Sequence, residues 1–179
     1  ARKDLQRNLT RELEAQRGKT IEAARAGVCV FQLTDKIKRI PDLLRRMGAA
    51  TEIESLHDLF REDLVAEGGM GYAQAGLYLV EGKELVCRFH TGEISIKRFS
   101  LKKNHRLARI VRRGGRTYDP SSGELIVPLC RGGEVVGLLQ IWFEEEDRLL
   151  FGENDSIRAG QENLVETIAF AFSSVWGRL

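Results

Sequence analysis

The sequence is poor in the residues that staple small extracellular folds or hold metals. Its three cysteines, Cys29, Cys87 and Cys130, are odd in number and scattered over 179 residues. No CxxC pair or Cys/His cluster joins them, so neither a disulfide framework nor a zinc site is supported. Reduced thiols in a cytoplasmic protein are the plain expectation. No apolar run approaches the roughly 20 residues of a membrane helix. The opening Ala1-Arg2-Lys3-Asp4-Leu5 lacks the apolar stretch of a secretory signal. A P-loop, a nucleophile elbow and an HExxH pair are also missing, and no motif calls for a catalytic centre.

What is present describes an ordinary globular chain, 42% hydrophobic and 30% charged, of a length that suits one domain with a real core. The net charge of +2 hides an asymmetry. Nine basic residues and no acid lie between Lys97 and Arg116, which leaves 19 Lys and Arg against 26 Asp and Glu elsewhere.

Leu5, Leu9 and Leu13, then Ile21, Ala24 and Val28, place an apolar stripe on a helix over Lys3 to Ala26. The chain starts without a cap, which suits a helix entering from an upstream domain and equally a frayed terminus. Gly27 to Thr34 reads as strand by its β-branched residues and as helix by its neighbours, and helix is preferred. Pro41 opens a short helix that Gly48 ends. Thr51 with Glu54 has the form of a capping box, starting a helix with Ile53, Leu56, Leu59, Phe60 and Leu64 on one face. Strands follow over Gln74–Val80, Glu84–His90 and Ile94–Phe99, then a helix over Asn104–Arg113. A second hairpin joins Glu124–Cys130 to Glu134–Phe143, and its apolar arms place it centrally, covered on both faces. Within it, Pro128 demands an edge or a bulge, and Gly137 marks a close backbone approach. After an acidic loop, Glu144–Asp147, comes a closing helix capped near Asn154 or Asp155. Hairpins without βαβ alternation give an α+β fold with an antiparallel sheet.

Leu125-Ile126-Val127-Pro128-Leu129, the glycine turn and Val135-Val136-Gly137-Leu138-Leu139-Gln140-Ile141 resemble the central strand pair of GAF domains. Phe151-Gly152-Glu153-Asn154-Asp155 and Leu164 to Val175 resemble the start and body of that family's last helix. The resemblance covers about residues 51–176. It implies a six-stranded antiparallel sheet between helical layers, with the N- and C-terminal helices packed together. The division it suggests is a helical linker or dimerisation segment over 1–50 and a GAF-like domain over 51–179. It also implies a regulatory, non-enzymatic role in a larger signalling protein, a linked output domain, homodimers through the terminal helices, and a ligand pocket mapping to 91–123.

The basic run is the candidate anion site. Arg106, Arg109 and Arg113 share a helix face, and Arg98, His105 and Tyr118 complete a set that would hold a small anionic effector. The plain alternative is a solvated helix neutralised by the Glu144–Asp147 loop. Nucleic acid is disfavoured, because Phe99 is the single aromatic in the run. No cofactor is indicated. The family's cyclic-nucleotide residue set is not found, and haem would need His57, His90 or His105. A bilin would need a cysteine near a histidine, but Cys87 and His90, three apart on a strand, should face opposite ways. A ligand-free interaction module is the main alternative function. A thiol enzyme of the free methionine sulfoxide reductase type ranks last, since the cysteines form no cluster.

Overall fold

The computed structural model describes residues 2–176, with the side chains of 2–5, 29 and 53 left undescribed. The expectations resting on the side chains of Leu5, Cys29 and Ile53, and on 177–179, lie outside the described residues.

One helix, α1, runs from Arg2 to Ala49 through both Gly27–Thr34 and Pro41. It replaces the separate helices expected there. Helical continuity prevails over local strand propensity because α1 carries a heptad seam facing the body: Ala26, Leu33, Lys36, Ile40, Leu43 and Met47 are half-buried or buried. At 48 residues it is ~72 Å long. Helix α2 (Ile53–Leu59) starts after Glu52, whose side chain makes no cap bond, so the Thr51/Glu54 box does not form. It continues as a π-helical turn, Phe60–Val65.

The sheet has the order β3-β2-β1-β6-β5-β4, each neighbouring pair antiparallel: β1 (Gln74–Glu81), β2 (Glu84–His90), β3 (Arg98–Ser100), β4 (Thr117–Asp119), β5 (Glu124–Arg131) and β6 (Glu134–Trp142). The expected third strand is shortened to three residues, and β4 is an edge strand that the sequence pattern does not assign. Because β4 pairs only with Glu124, Leu125 and Ile126, the outer side of β5 is unpaired at Pro128, and a bulge follows between Leu129 and Cys130. Pro128 therefore breaks no ladder. A Cβ on Gly137 would meet the Tyr78 carbonyl oxygen of the neighbouring strand, which is the close approach the glycine permits.

Helix α3 (Arg106–Arg113) covers one face of the sheet, and α1, α2, α4 (Glu145–Glu153) and α5 (Asp155–Trp176) lie on the other. The acidic stretch is the first turn of α4, where carboxylates favour the positive end of a helix, so it is helix and not loop. The larger core packs Leu77, Leu125, Leu139 and Ile141 of the sheet against Phe60, Ile168 and Phe172 of the helices. A smaller core on the open face packs Tyr78, Ile126 and Leu138 against Leu107 and Ile110 of α3.

Candidate functional site

The open face has an apolar half and a polar half. In the apolar half Leu107 and Ile110 are buried on the sheet, so α3 fills that part with its own side chains. In the polar half Glu124 is 3% exposed, accepting hydrogen bonds from Arg106 Nη2 and Gln140 Nε2. A buried carboxylate requires such partners. Beyond the short β3, the free edge of β2 and the 91–97 loop enclose an open cleft of about 510 Å³, lined by Cys87, Phe89, His90, Gly92, Ile94 and Lys97 among others.

A bulge reverses one expectation. Tyr78 pairs with Cys87 and Gly76 with His90, and Arg88 is the extra residue between them. Gly76 and Tyr78 are two apart and share a face, so Cys87 and His90 share it too. Burial pushes the Cys87 thiol above its ordinary pKa, more than the Tyr78 hydroxyl lowers it. Its Sγ donates to the Phe89 carbonyl at 3.4 Å. His90 sets its ring edge-on to Trp142, with Nδ1 bonded to the Gly92 backbone. Of the other histidines, His57 packs on Phe89 and His105 stacks on Phe99.

The structure separates the sequence-derived set. Arg98 is ion-paired with Glu84 at 2.9 Å, and His105 caps α3, with Nδ1 accepting from the Leu107 N–H. Arg106 serves the buried Glu124, while Arg109 is exposed on the same helix. Tyr118 lies on the other face, edge-on to Phe143 and Phe151 in the larger core, because its cross-strand neighbour Leu125 faces that way. Its hydroxyl is pushed up in pKa, mainly by burial. Neutralisation of the basic run comes from Glu84, Glu124, Glu162 and Glu166, whereas in the Glu144–Asp147 segment Asp147 pairs with Lys36 of α1.

A second feature is the outer side of α1. Leu9, Leu13, Gln16, Thr20, Ala23, Gly27, then Val30, Thr34, Ile37, Pro41 and Leu44, keep an unbroken 4-3 spacing, one residue on from the inner seam. Leu9, Leu13, Val30 and Ile37 are 58, 59, 57 and 52% exposed, and Phe31 beside them is 74% exposed. The hydroxyls of Thr20 and Thr34 donate to carbonyls four residues back, which satisfies them locally. Residues 6–18 are exposed throughout and precede the first residues of α1 that border the body, Lys19 and Glu22. An isolated helix of that length is marginal in water. Among the described residues, the large exposed hydrophobics outside α1 are Ile96, Leu149 and Phe170.

This architecture is a GAF-like fold. The nlh2 GAF domain of A. aeolicus, solved in an inactive state, aligns with a TM-score of 0.60 at 17% identity, covering 83% of this chain and 98% of that one. The GAF domain of a Coxiella burnetii phosphoenolpyruvate-protein phosphotransferase gives 0.59 at 16%, covering 81% and 94%. Free methionine-R-sulfoxide reductase from Neisseria meningitidis, solved with its substrate, gives 0.50 at 20%, covering 78% and 89%. No protein-family model matches the sequence. A search of curated proteins finds no match either. Among the described residues no helix is long and apolar enough to cross a membrane, and no group of His, Cys, Asp and Glu is placed to hold a metal.

Proposed function

We propose that the chain is a regulatory domain that self-associates through the outer seam of α1, with the open face as its sensing surface. The observation that carries this reading is the exposed 4-3 seam on a helix whose first part has no support from the body. Pairing with a second copy would bury that stripe and supply the stability the projecting segment lacks. Solved neighbours in this fold include the GAF domain of a phosphotransferase, which supports a linked output domain here.

The cleft beside β2 is the better place for a small molecule than the α3 arginines. It has room, it is lined by Arg88, His90, Glu93 and Lys97 among others, and its loop leads through β3 towards α3. A thermal-shift screen against nucleotides and common metabolites tests the sensing role. A ligand at ~100 times its dissociation constant adds roughly 2.7 kcal/mol, and at ~2–4 °C per kcal/mol the midpoint should rise several degrees. A hit abolished by Lys97→Glu supports the cleft. A hit unaffected by it refutes that placement, and silence across the panel favours the ligand-free interaction module.

The fold of the Neisseria reductase raises a thiol-enzyme reading, which the described thiols do not favour. Cys87 is on β2 and the exposed Cys130 on β5, three strand spacings or ~14 Å apart. A half-buried thiol with a raised pKa is also a weak nucleophile.

A further inference from the structure

We infer that Arg116 is the strut through which the open-face segment acts on the closing helix α5. This deepens the sensing reading by naming how that surface reaches a terminal helix. It stands on contacts that exist whether or not a ligand binds.

The basic segment is attached differently at its two ends. Before α3, residues 91–105 bond to the sheet and to one another: Thr91 to Ala75, Lys97 O to the Cys87 N–H, and Leu101 to Lys83. After α3, the chain turns through Gly114 and Gly115, at φ 66° and 80°, where a side chain would be strained. That turn delivers Arg116 over the sheet edge to the opposite layer. Its Nη1 donates to Asn163 Oδ1 at 2.7 Å and to Glu166 Oε2 at 2.8 Å, and its Nη2 lies 3.5 Å from Glu162 Oε2. One guanidinium thus engages three residues within a single turn of α5. Beside it, Arg148 of α4 donates to the Ser121 carbonyl in the β4–β5 turn. These two arginines carry side-chain hydrogen bonds between 91–123 and the helices α4 and α5.

The planar fork of arginine suits this role, since it fixes direction as well as charge. Glu162 and Glu166 are one turn apart and repel when the guanidinium leaves. A shift at the end of α3 therefore reaches α5 as a change in how those carboxylates are held. The link uses one cation of the run that the open face itself does not use, and it runs to the same helix that packs on α1.

Hydrogen exchange of the full chain tests the inference without a ligand and without relying on pairing. Arg106→Gln removes the anchor of α3 on Glu124 and supplies the disturbance. In the otherwise unchanged chain it should speed exchange at least threefold both in α3 and over residues 162–170. With Arg116→Gln already present, it should still speed exchange in α3 and leave 162–170 no faster than Arg116→Gln alone. Equal acceleration of α5 in both backgrounds overturns the inference, as does no response of α5 when Arg116 is intact. Should Arg106→Gln loosen the whole sheet, seen as faster exchange in β1 and β6, Leu107→Val gives a milder disturbance with the same two outcomes. Failure here leaves the α1 seam standing, because none of these residues lies on it.

Discussion

The double substitution Val30→Glu, Ile37→Glu should convert a dimer into a monomer while leaving the domain folded. Val30 and Ile37 are 57% and 52% exposed, so roughly half of each side chain remains to be covered by a partner. Full burial of such a residue is worth ~1.5–3 kcal/mol, so covering the remaining half is worth about 1 kcal/mol. Two residues on each of two chains give about 4 kcal/mol, close to a thousandfold in affinity at ~1.4 kcal/mol per decade. Glutamates meeting across the seam add repulsion to that loss. The intact seam also has Leu9, Leu13 and Leu44 on each chain. Its whole apolar gain, about 10 kcal/mol by the same reckoning, is of the order of the ~4–15 kcal/mol cost of association. The expected pairing is therefore weak, and two charges per chain should be enough to remove it. Sedimentation equilibrium over a concentration series is the assay, with circular dichroism as the control for folding. A variant that keeps the dimer mass refutes the seam as the interface, and a wild-type chain that is monomeric throughout refutes the pairing itself.

Gly137→Ala should destabilise the fold by ~1–3 kcal/mol in denaturant unfolding, because the new methyl meets the Tyr78 carbonyl and neighbouring Leu79 and Leu129 side chains; an unchanged midpoint would show that β1 and β6 separate freely. Burial raises the pKa of Asp147, outweighing its ion pair with Lys36. The folded state then holds a proton that the unfolded state has released, so this group's contribution to stability falls as pH rises from the ordinary carboxylate pKa through the raised one. Asp147→Asn should flatten that part of the pH dependence of the melting midpoint, and an identical slope in both proteins would contradict it. A thiol reagent should modify Cys130 well before Cys87, since one is exposed and the other half-buried with a raised pKa; mass spectrometry of digests reads the order, and faster labelling of Cys87 would reopen the thiol-enzyme reading.

The two hairpins were legible in the sequence because apolar runs flanked glycine-bearing turns, and α5 because its stripe repeats over five turns. Where local signals misled, tertiary contacts decided. Val28, Val30 and Phe31 favour strand by themselves, yet they sit in a helix fixed by the inner seam from Ala26 to Met47. The acids of Glu144–Asp147 looked like loop composition, although acids gathered in a first turn are also a helix-start signal. The polar site was less legible still. Arg106 finds Glu124 eighteen residues away on a strand, and no local pattern marks that glutamate as buried. The bulge at Arg88 inverts the facing of Cys87 and His90, and strict alternation could not reveal it. The outer seam, by contrast, was readable in principle. Its 4-3 spacing emerges once α1 is one helix, and a break at Gly27–Thr34 or Pro41 would hide it.

The direction of the helices bears on how such a domain transmits a signal. Arg25 pairs at 3.5 Å with Glu153, two residues before α5 begins, Ala26 borders one cleft with Ile157 of α5, and the Leu33 side chain would lie 2.9 Å from a Cβ at Gly160. Advancing along α1 therefore advances along α5, so the two run parallel. The projecting part of α1 and the end of α5 consequently lie at opposite ends of the domain. A change in the pairing of α1 need not act on the sheet to be felt at the far end, because the two helices share packing contacts over their common length. Arg116 adds a second route, from the open face around the sheet edge to the middle of α5. Two inputs that converge on one helix can bias its position independently or together, and they are coupled only if each prefers one of two α5 positions. That condition separates a sensor from a passive spacer, and it is satisfied or not by α5 alone.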